Sequence, residues 1–337
     1  MRVRTGLILL LATCASAAAG CGGDGTPPAE STTRPRNSSP ITLAVVPKAL
    51  GFDFWRQVRL GAECAASKHE QVTVRWDGVT AETDVVGQVN LLQRFIGQDV
   101  DGIVYAATDA AALAPITDQA LANRKVVVNI DSGTYPQPSG VPLFATDNVA
   151  AATRAADLLA QALGPGEKKI AFFLYEPGSA TNDQRAQGFK AGLARHPRIR
   201  IVAEQSTQSD FTTAVSVTER ILATTPDLDG IFAANEPTAL GAAEAVQKSG
   251  KAGRVTLVGW DAAPQGVKLM QDGVITSLVA QNPFRMGYDG VNAAVKMIRE
   301  GGTVSSADTG VSYLSAQNLT SPRHQALLRP SCANPPV

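Results

Sequence analysis

Two aspartates, Asp131 and Asp261, each close an apolar β-like run, and they lie 130 residues apart. A carboxylate in such a place can accept two hydroxyl protons, or act as acid and base on a glycosidic bond. Either one alone is explained as well by a helix cap or a turn, work that Asp does readily. Aromatic side chains supply a complementary surface. Phe52, Phe54 and Trp55 cluster just after the first β-like run, in a chain with only 5% aromatic residues. Flat rings cover the C–H faces of a sugar, so the cluster reads as a stacking platform at a helix start, the alternative being the buried face of that helix. Phe211, following Asp210, holds the matching place in the second half.

Other chemistry lacks its residues. His69, His196 and His324 are isolated, with no i,i+4 pair and no neighbouring Cys or Asp set, so neither a metal site nor a cofactor is expected. There is no Gly-x-Ser-x-Gly elbow, and Gly164-Pro165-Gly166-Glu167-Lys168-Lys169 lacks the spacing and the hydroxyl of a phosphate-cradling loop. It reads as a helix-to-strand turn. Lys plus Arg and Asp plus Glu both number 30, so no broad field marks a nucleic-acid partner. Binding needs the carboxylates without any reaction, and a non-enzymatic role is expected. A glycoside-cleaving enzyme is the distant alternative.

The elements that would position these groups alternate β-rich runs with amphipathic stretches, the pattern of βαβ units and a parallel sheet covered on both faces. Strands are predicted at 41–46, 72–76, 102–105 and 126–130, then at 170–174, 199–202, 230–232 and 255–258. Between them, Val85, Val89, Leu92, Phe95 and Ile96 recur at helical spacing, as do Ala112, Leu113, Ile116, Ala120 and Leu121. The plan repeats in the letters. Asp99-Val100-Asp101-Gly102-Ile103 returns as Asp227-Leu228-Asp229-Gly230-Ile231, an offset of 128 residues, close to the 130 that separates Asp131 from Asp261. Two coincidences at nearly one offset argue for duplicated lobes. The length of 337 residues also suits two domains of roughly 100 to 150 residues each. Ligands of open parallel sheets sit beyond the C-terminal strand ends, so facing lobes would present both aspartates to one cleft.

The N-terminus reads as an export signal over residues 1–20, with Arg2 and Arg4 before the apolar run that starts at Leu7, too short to span a bilayer. Ala18-Ala19-Gly20-Cys21 resembles the lipobox of bacterial lipoproteins, with Ala18 where Leu is preferred. The resemblance implies cleavage before Cys21 and a lipid on its thiol; ordinary secretory cleavage nearby is the alternative. Residues 21–40, rich in Gly, Ser, Thr and Pro, read as a flexible tether. Cys64 and Cys332 are then an even pair in an oxidising compartment, either bridged so as to pin the C-terminal tail or free and buried.

From Ile41 to about Met297 the chain resembles periplasmic sugar-binding proteins of the ribose-binding type, which serve ABC importers and share their lobes with repressors of the lactose type. The resemblance rests on Phe232-Ala233-Ala234-Asn235-Glu236 through Leu240-Gly241-Ala242, on Leu257-Val258-Gly259-Trp260-Asp261, and on Val279-Ala280-Gln281-Asn282-Pro283 leading to Met286-Gly287. It implies a type I periplasmic binding fold: two α/β lobes joined by a three-segment hinge, one of residues 41–147 plus a return segment 282–309, the other of 148–281 plus the tail 310–337. It implies hydroxyl contacts from Asn235, Asp261, Gln281 and Asp131. Ser132 and Asp183 stand where ribose binders carry Arg, while Arg185 matches a nearby family Arg; loss of two cations argues against sugar acids. Pro47-Lys48 is similar to the branch that contains autoinducer-2 and rhamnose binders, where Lys48, Asp183 and Gln184 would touch ligand.

The expectation is a monomeric lipoprotein on the outer face of the cytoplasmic membrane, passing a neutral monosaccharide or sugar alcohol to an ABC permease by closing around it. An autoinducer-2-type ligand, or a sugar sensor for a chemoreceptor or kinase, is the alternative. A repressor would need a helix-turn-helix before Ile41, where the signal and tether stand.

Overall fold

The computed structural model describes residues 39–336; the signal, the Cys21 anchor and most of the tether lie outside them. The chain runs β1 (Ile41–Val46), α1 (Asp53–Ser67), β2 (Val72–Trp76), α2 (Val85–Ile96), β3 (Gly102–Tyr105), α3 (Ala114–Ala122), β4 (Val126–Ile130), β5 (Leu143–Ala145) and α4 (Asn148–Leu163). It continues with β6 (Lys168–Leu174), α5 (Ala180–Leu193), β7 (Ile199–Ser206), α6 (Phe211–Thr224), β8 (Gly230–Ala233), α7 (Glu236–Lys248), β9 (Thr256–Trp260), α8 (Pro264–Gln271) and β10 (Ser277–Gln281). It ends with α9 (Pro283–Glu300), β11 (Ala307–Asp308), β12 (Val311–Leu314) and α10 (Pro322–Leu328).

Two six-stranded sheets result, in the orders β2-β1-β3-β4-β5-β11 and β7-β6-β8-β9-β10-β12. Within the two sheets all pairings are parallel except β12, which runs antiparallel to β10. The inner strands β1, β3, β4, β8, β9 and β10 are almost wholly apolar and buried, as strands covered on both faces require, whereas the outer strands β2 and β7 carry polar and exposed residues. Each sheet is one lobe. The chain passes between lobes at Thr146–Asp147, at Asn282 and at Thr309–Gly310.

The repeated Asp-x-Asp-Gly segment has a structural cause. Asp101 Oδ2 accepts the N–H of Thr42 at 2.7 Å, and Asp229 Oδ2 accepts that of Lys169 at 2.8 Å. In each lobe the second Asp fastens the start of the neighbouring strand. The glycine that follows leaves room for the next strand: a Cβ at Gly102 would lie 3.0 Å from the Val126 carbonyl oxygen.

All eight predicted strands are present, four with the expected bounds and four within a few residues of them. Gly164 and Gly166 form the expected turn from α4 to β6, both with positive φ. The short β5 and β11 and the hinge strand β10 go beyond the predicted set. They are three, two and five residues long, and β10 carries the segment that the resemblance marked as a lobe crossing. Val311–Leu314 is an edge strand. Cys64 and Cys332 are disulfide-bonded, with their Cα atoms 5.4 Å apart.

Candidate functional site

Asp131 and Asp261 follow β4 and β9 in equivalent places, and both adopt the left-handed backbone, with φ of 57° and 72°. That region is uncommon for any residue with a side chain, although Asp tolerates it better than most. In each lobe the Asp N–H is held by a neighbouring strand, Asp131 by the Phe144 carbonyl at 2.9 Å and Asp261 by that of Val279 at 2.8 Å. The shared turn aims both carboxylates into a cavity between the lobes with about 260 Å³ of free space.

Lobe 1 adds three aromatics to the lining. Phe52 precedes α1, and Phe54 and Trp55 occupy its first turn, their rings edge to face at 4.8 Å. Both earlier readings of this cluster describe it, because Phe54 and Trp55 belong to the core of lobe 1 and also face the cavity. α1 is held deep in the lobe by close packing on α9. A Cβ at Gly61 would overlap the Phe284 carbonyl, and one at Gly287 that of Val58.

Lobe 2 supplies Asn235, Asp261, Gln281 and Arg185. Asn235 is the N-cap of α7: its Oδ1 accepts the Thr238 N–H at 3.2 Å, while its Nδ2 donates to Ser209 Oγ at 2.9 Å. Gln281 Nε2 donates to Asp261 Oδ1 at 2.8 Å, leaving its buried Oε1 without a protein partner. An acceptor in that position is matched to a hydroxyl donor. Burial pushes Asp261 up to about 6, against the nearby Arg185 and the Gln281 hydrogen bond.

Lys48 and Arg185 meet Asp131 from opposite lobes. Lys48 Nζ lies 2.9 Å from Asp131 Oδ2, and Arg185 Nη2 4.0 Å from Asp131 Oδ1, with all three side chains 3% exposed. Lys48 also donates across the cleft to Thr181 Oγ1 at 3.0 Å and Ser179 Oγ at 3.3 Å. Burial opposes its charge, and Asp131 with Tyr175 and Glu82 outweighs that, so the ammonium is held above its ordinary value. Arg185 stacks on Trp260 at 4.3 Å and is fixed by Asn148 Oδ1 and the Ala234 carbonyl, each at 2.8 Å.

Several expected residues sit elsewhere. Asp183 is exposed and Gln184 half-buried, and neither lines the cavity; on α5 the inward position is that of Arg185, so the two fall on other faces of the helix. Lys48 acts on Asp131 from behind the cavity wall. Phe211 stands at the outer mouth with Gly51 and Phe52. The cations argued to be lost are represented by Lys48 and Arg185, both buried.

The residues read only from the structure are Glu82 and Glu236. Glu236 Oε1 and Oε2 accept the N–H groups of Asp53 and Phe54 at 3.0 and 2.9 Å, and burial pushes the carboxyl up to about 7. Glu82 accepts from Trp55 Nε1 at 3.3 Å and, across the cleft, from Ser209 Oγ at 2.5 Å. The sequence carried no signal for this role of Glu236: Asp53 is itself a preferred N-cap type, and only the structure puts Phe52 in the N-cap position. Among the described residues no cluster of three or more His, Cys, Asp or Glu could hold a metal ion.

Duplicated lobes with three crossings and one polar cleft at their strand ends define a two-lobed binding protein. Residues 43–303 match the periplasmic binding protein domain, and the chain belongs to that family. It is 30% identical over 302 residues to the D-ribose/D-allose-binding protein of Pseudomonas aeruginosa, covering 87% of this chain and 91% of that one. Its fold matches an ABC transporter solute-binding protein from Agrobacterium vitis, solved with bound D-fucose, with a TM-score of 0.81 and 33% identity over 86% of this chain and 100% of that one. A carbohydrate transporter solute-binding protein from Agrobacterium radiobacter, in complex with D-arabinose, matches with a TM-score of 0.83 and 28% identity, over 86% and 99% of the two chains.

Proposed function

We propose that this chain is the extracytoplasmic solute-binding component of an ABC importer and closes around a neutral monosaccharide or sugar alcohol. The observation that carries this reading is the pairing of Asp131 and Asp261, set by the same backbone turn in two lobes and aimed with the free Gln281 oxygen into one cavity. Beside them Phe52, Phe54 and Trp55 offer apolar faces.

Charge supports a neutral ligand. Asp131, Asp261, Glu82 and Glu236 outnumber Lys48 and Arg185 among the buried groups around the cleft, so a further anion would be repelled. The relatives named above bind or hold neutral sugars. The finer branch of autoinducer-2 and rhamnose binders draws support from the Pro47-Lys48 pair in the sequence alone, since Lys48, Asp183 and Gln184 all lie off the cavity. Lipidation at Cys21, attachment to the outer face of the cytoplasmic membrane, delivery to a permease and action as a monomer belong to the same proposal.

Closure is a shift between open and closed arrangements about the three crossings. Thermal-shift screening tests it, because a ligand of the native state raises the apparent melting temperature. A rise with at least one pentose, hexose, deoxysugar or polyol is expected. No rise with any of these, together with a rise for an amino acid or nucleotide, would overturn the reading.

A further inference from the structure

The C-terminal tail belongs to lobe 2 at one end and to lobe 1 at the other. β12 is an edge strand of the lobe 2 sheet, and Leu314, Leu319 and Leu327 are buried in the core of that lobe. Ser321 caps α10, and Gln325 Nε2 donates to the Leu319 carbonyl at 2.7 Å. The helix is therefore seated on lobe 2. Just beyond it, Cys332 is bonded to Cys64 near the end of α1, in lobe 1. Further on, the Pro336 carbonyl accepts from Asn282 Nδ2, in the second crossing, at 3.4 Å.

The end of α10 also faces the cleft. Leu327 and Leu328 stand opposite Asp53, Phe54 and Gln57 of α1 across a space of about 290 Å³ that also reaches Asp261 and Gln281. We propose that the tail is a disulfide-held strap, which forms one wall of the ligand cleft and limits how far the lobes separate. Only Arg329, Pro330 and Ser331 lie between Leu328 and Cys332, and four fully extended steps reach at most about 14 Å. An opening lobe 2 can therefore carry the end of α10 no further than that from Cys332, which stays bonded to α1. That the wall bounds a ligand rests on the function proposed above; the limit on opening does not.

Small-angle X-ray scattering of the oxidised protein without sugar tests the limit, independently of what the cleft binds. One variant carries Cys64→Ser and Cys332→Ser; a second keeps both cysteines and has Gly-Ser-Gly-Ser inserted between Pro330 and Ser331. Both are expected to show a larger radius of gyration than the wild type. The insertion variant decides the matter if the serine variant fails to fold. A radius of gyration unchanged by the insertion, with the disulfide confirmed by mass spectrometry, overturns the proposal.

Discussion

The carboxylate of Glu236, in lobe 2, accepts the backbone N–H of Phe54, in lobe 1, at 2.9 Å. With the Asp53 N–H at 3.0 Å it completes the N-terminus of α1, whose own N-cap residue, Phe52, makes no side-chain cap. Unpaired amides and the positive end of the helix dipole attract an anion there. The cap exists only while the lobes are together, so it links the order of the aromatic wall to closure.

Replacing Glu236 by Ala removes that cap. A lost N-cap costs about 1 kcal/mol, roughly fivefold in Kd. Isothermal titration with the best sugar from the screen should show that weakening, and a smaller one for Glu236→Gln, which keeps one acceptor oxygen. Equal affinity in wild type and Glu236→Ala would show that closure does not depend on the contact.

Stability should fall as pH rises through the weakly acidic range. Burial raises Glu236 to about 7 from an ordinary 4.5 and Asp261 to about 6 from 3.8. A carboxyl raised in the folded state contributes stability that is complete below its unfolded value and is lost as pH climbs through its folded value. The contribution of Asp261 therefore fades between about 4 and 6, and that of Glu236 between about 4.5 and 7. Melting temperature followed from pH 4 to 8 should decline less steeply in Glu236→Gln; identical slopes would contradict the assignment.

Lys48→Met should be severely destabilising. Removing one partner of a buried pair leaves the other charge uncompensated, at a cost of about 3–5 kcal/mol. Asp131 would keep only Arg185, at 4.0 Å, and the bonds to Ser179 and Thr181 would go. Denaturant unfolding measures the loss, and Lys48→Met combined with Asp131→Asn should recover part of it. A midpoint unchanged by Lys48→Met would mean that the pair is solvated in solution.

Gln281→Met keeps the volume and removes the unpartnered oxygen. One hydrogen bond to a ligand is worth about 1 kcal/mol, so affinity should drop roughly fivefold, with a smaller change in stability from the lost bond to Asp261. Unaltered affinity would place the ligand away from Gln281.

Local order was legible in the sequence and pairing between lobes was not. The long buried strands, the Asp101/Asp229 repeat and the twin Asp131 and Asp261 follow from period, turn chemistry and duplication. The sequence does not single out Arg185 from Asp183 and Gln184, because a one- or two-residue choice on a helix face needs the register of α5. Glu82 and Glu236 gain their roles only when two segments remote in sequence, 127 and 182 residues from their partners, meet across the cleft. β5 and β11 owe their existence to neighbouring strands rather than to their own three and two residues.

The central claim is that Asp131 and Asp261 together hold one neutral polyhydroxylated ligand. Its most direct measurement is isothermal titration of the sugar that raises the melting temperature most, into wild type, Asp131→Asn and Asp261→Asn. A one-to-one stoichiometry, and weaker binding in both variants without any turnover of the sugar, is the result expected. Full affinity in either variant would contradict a ligand shared between the two lobes.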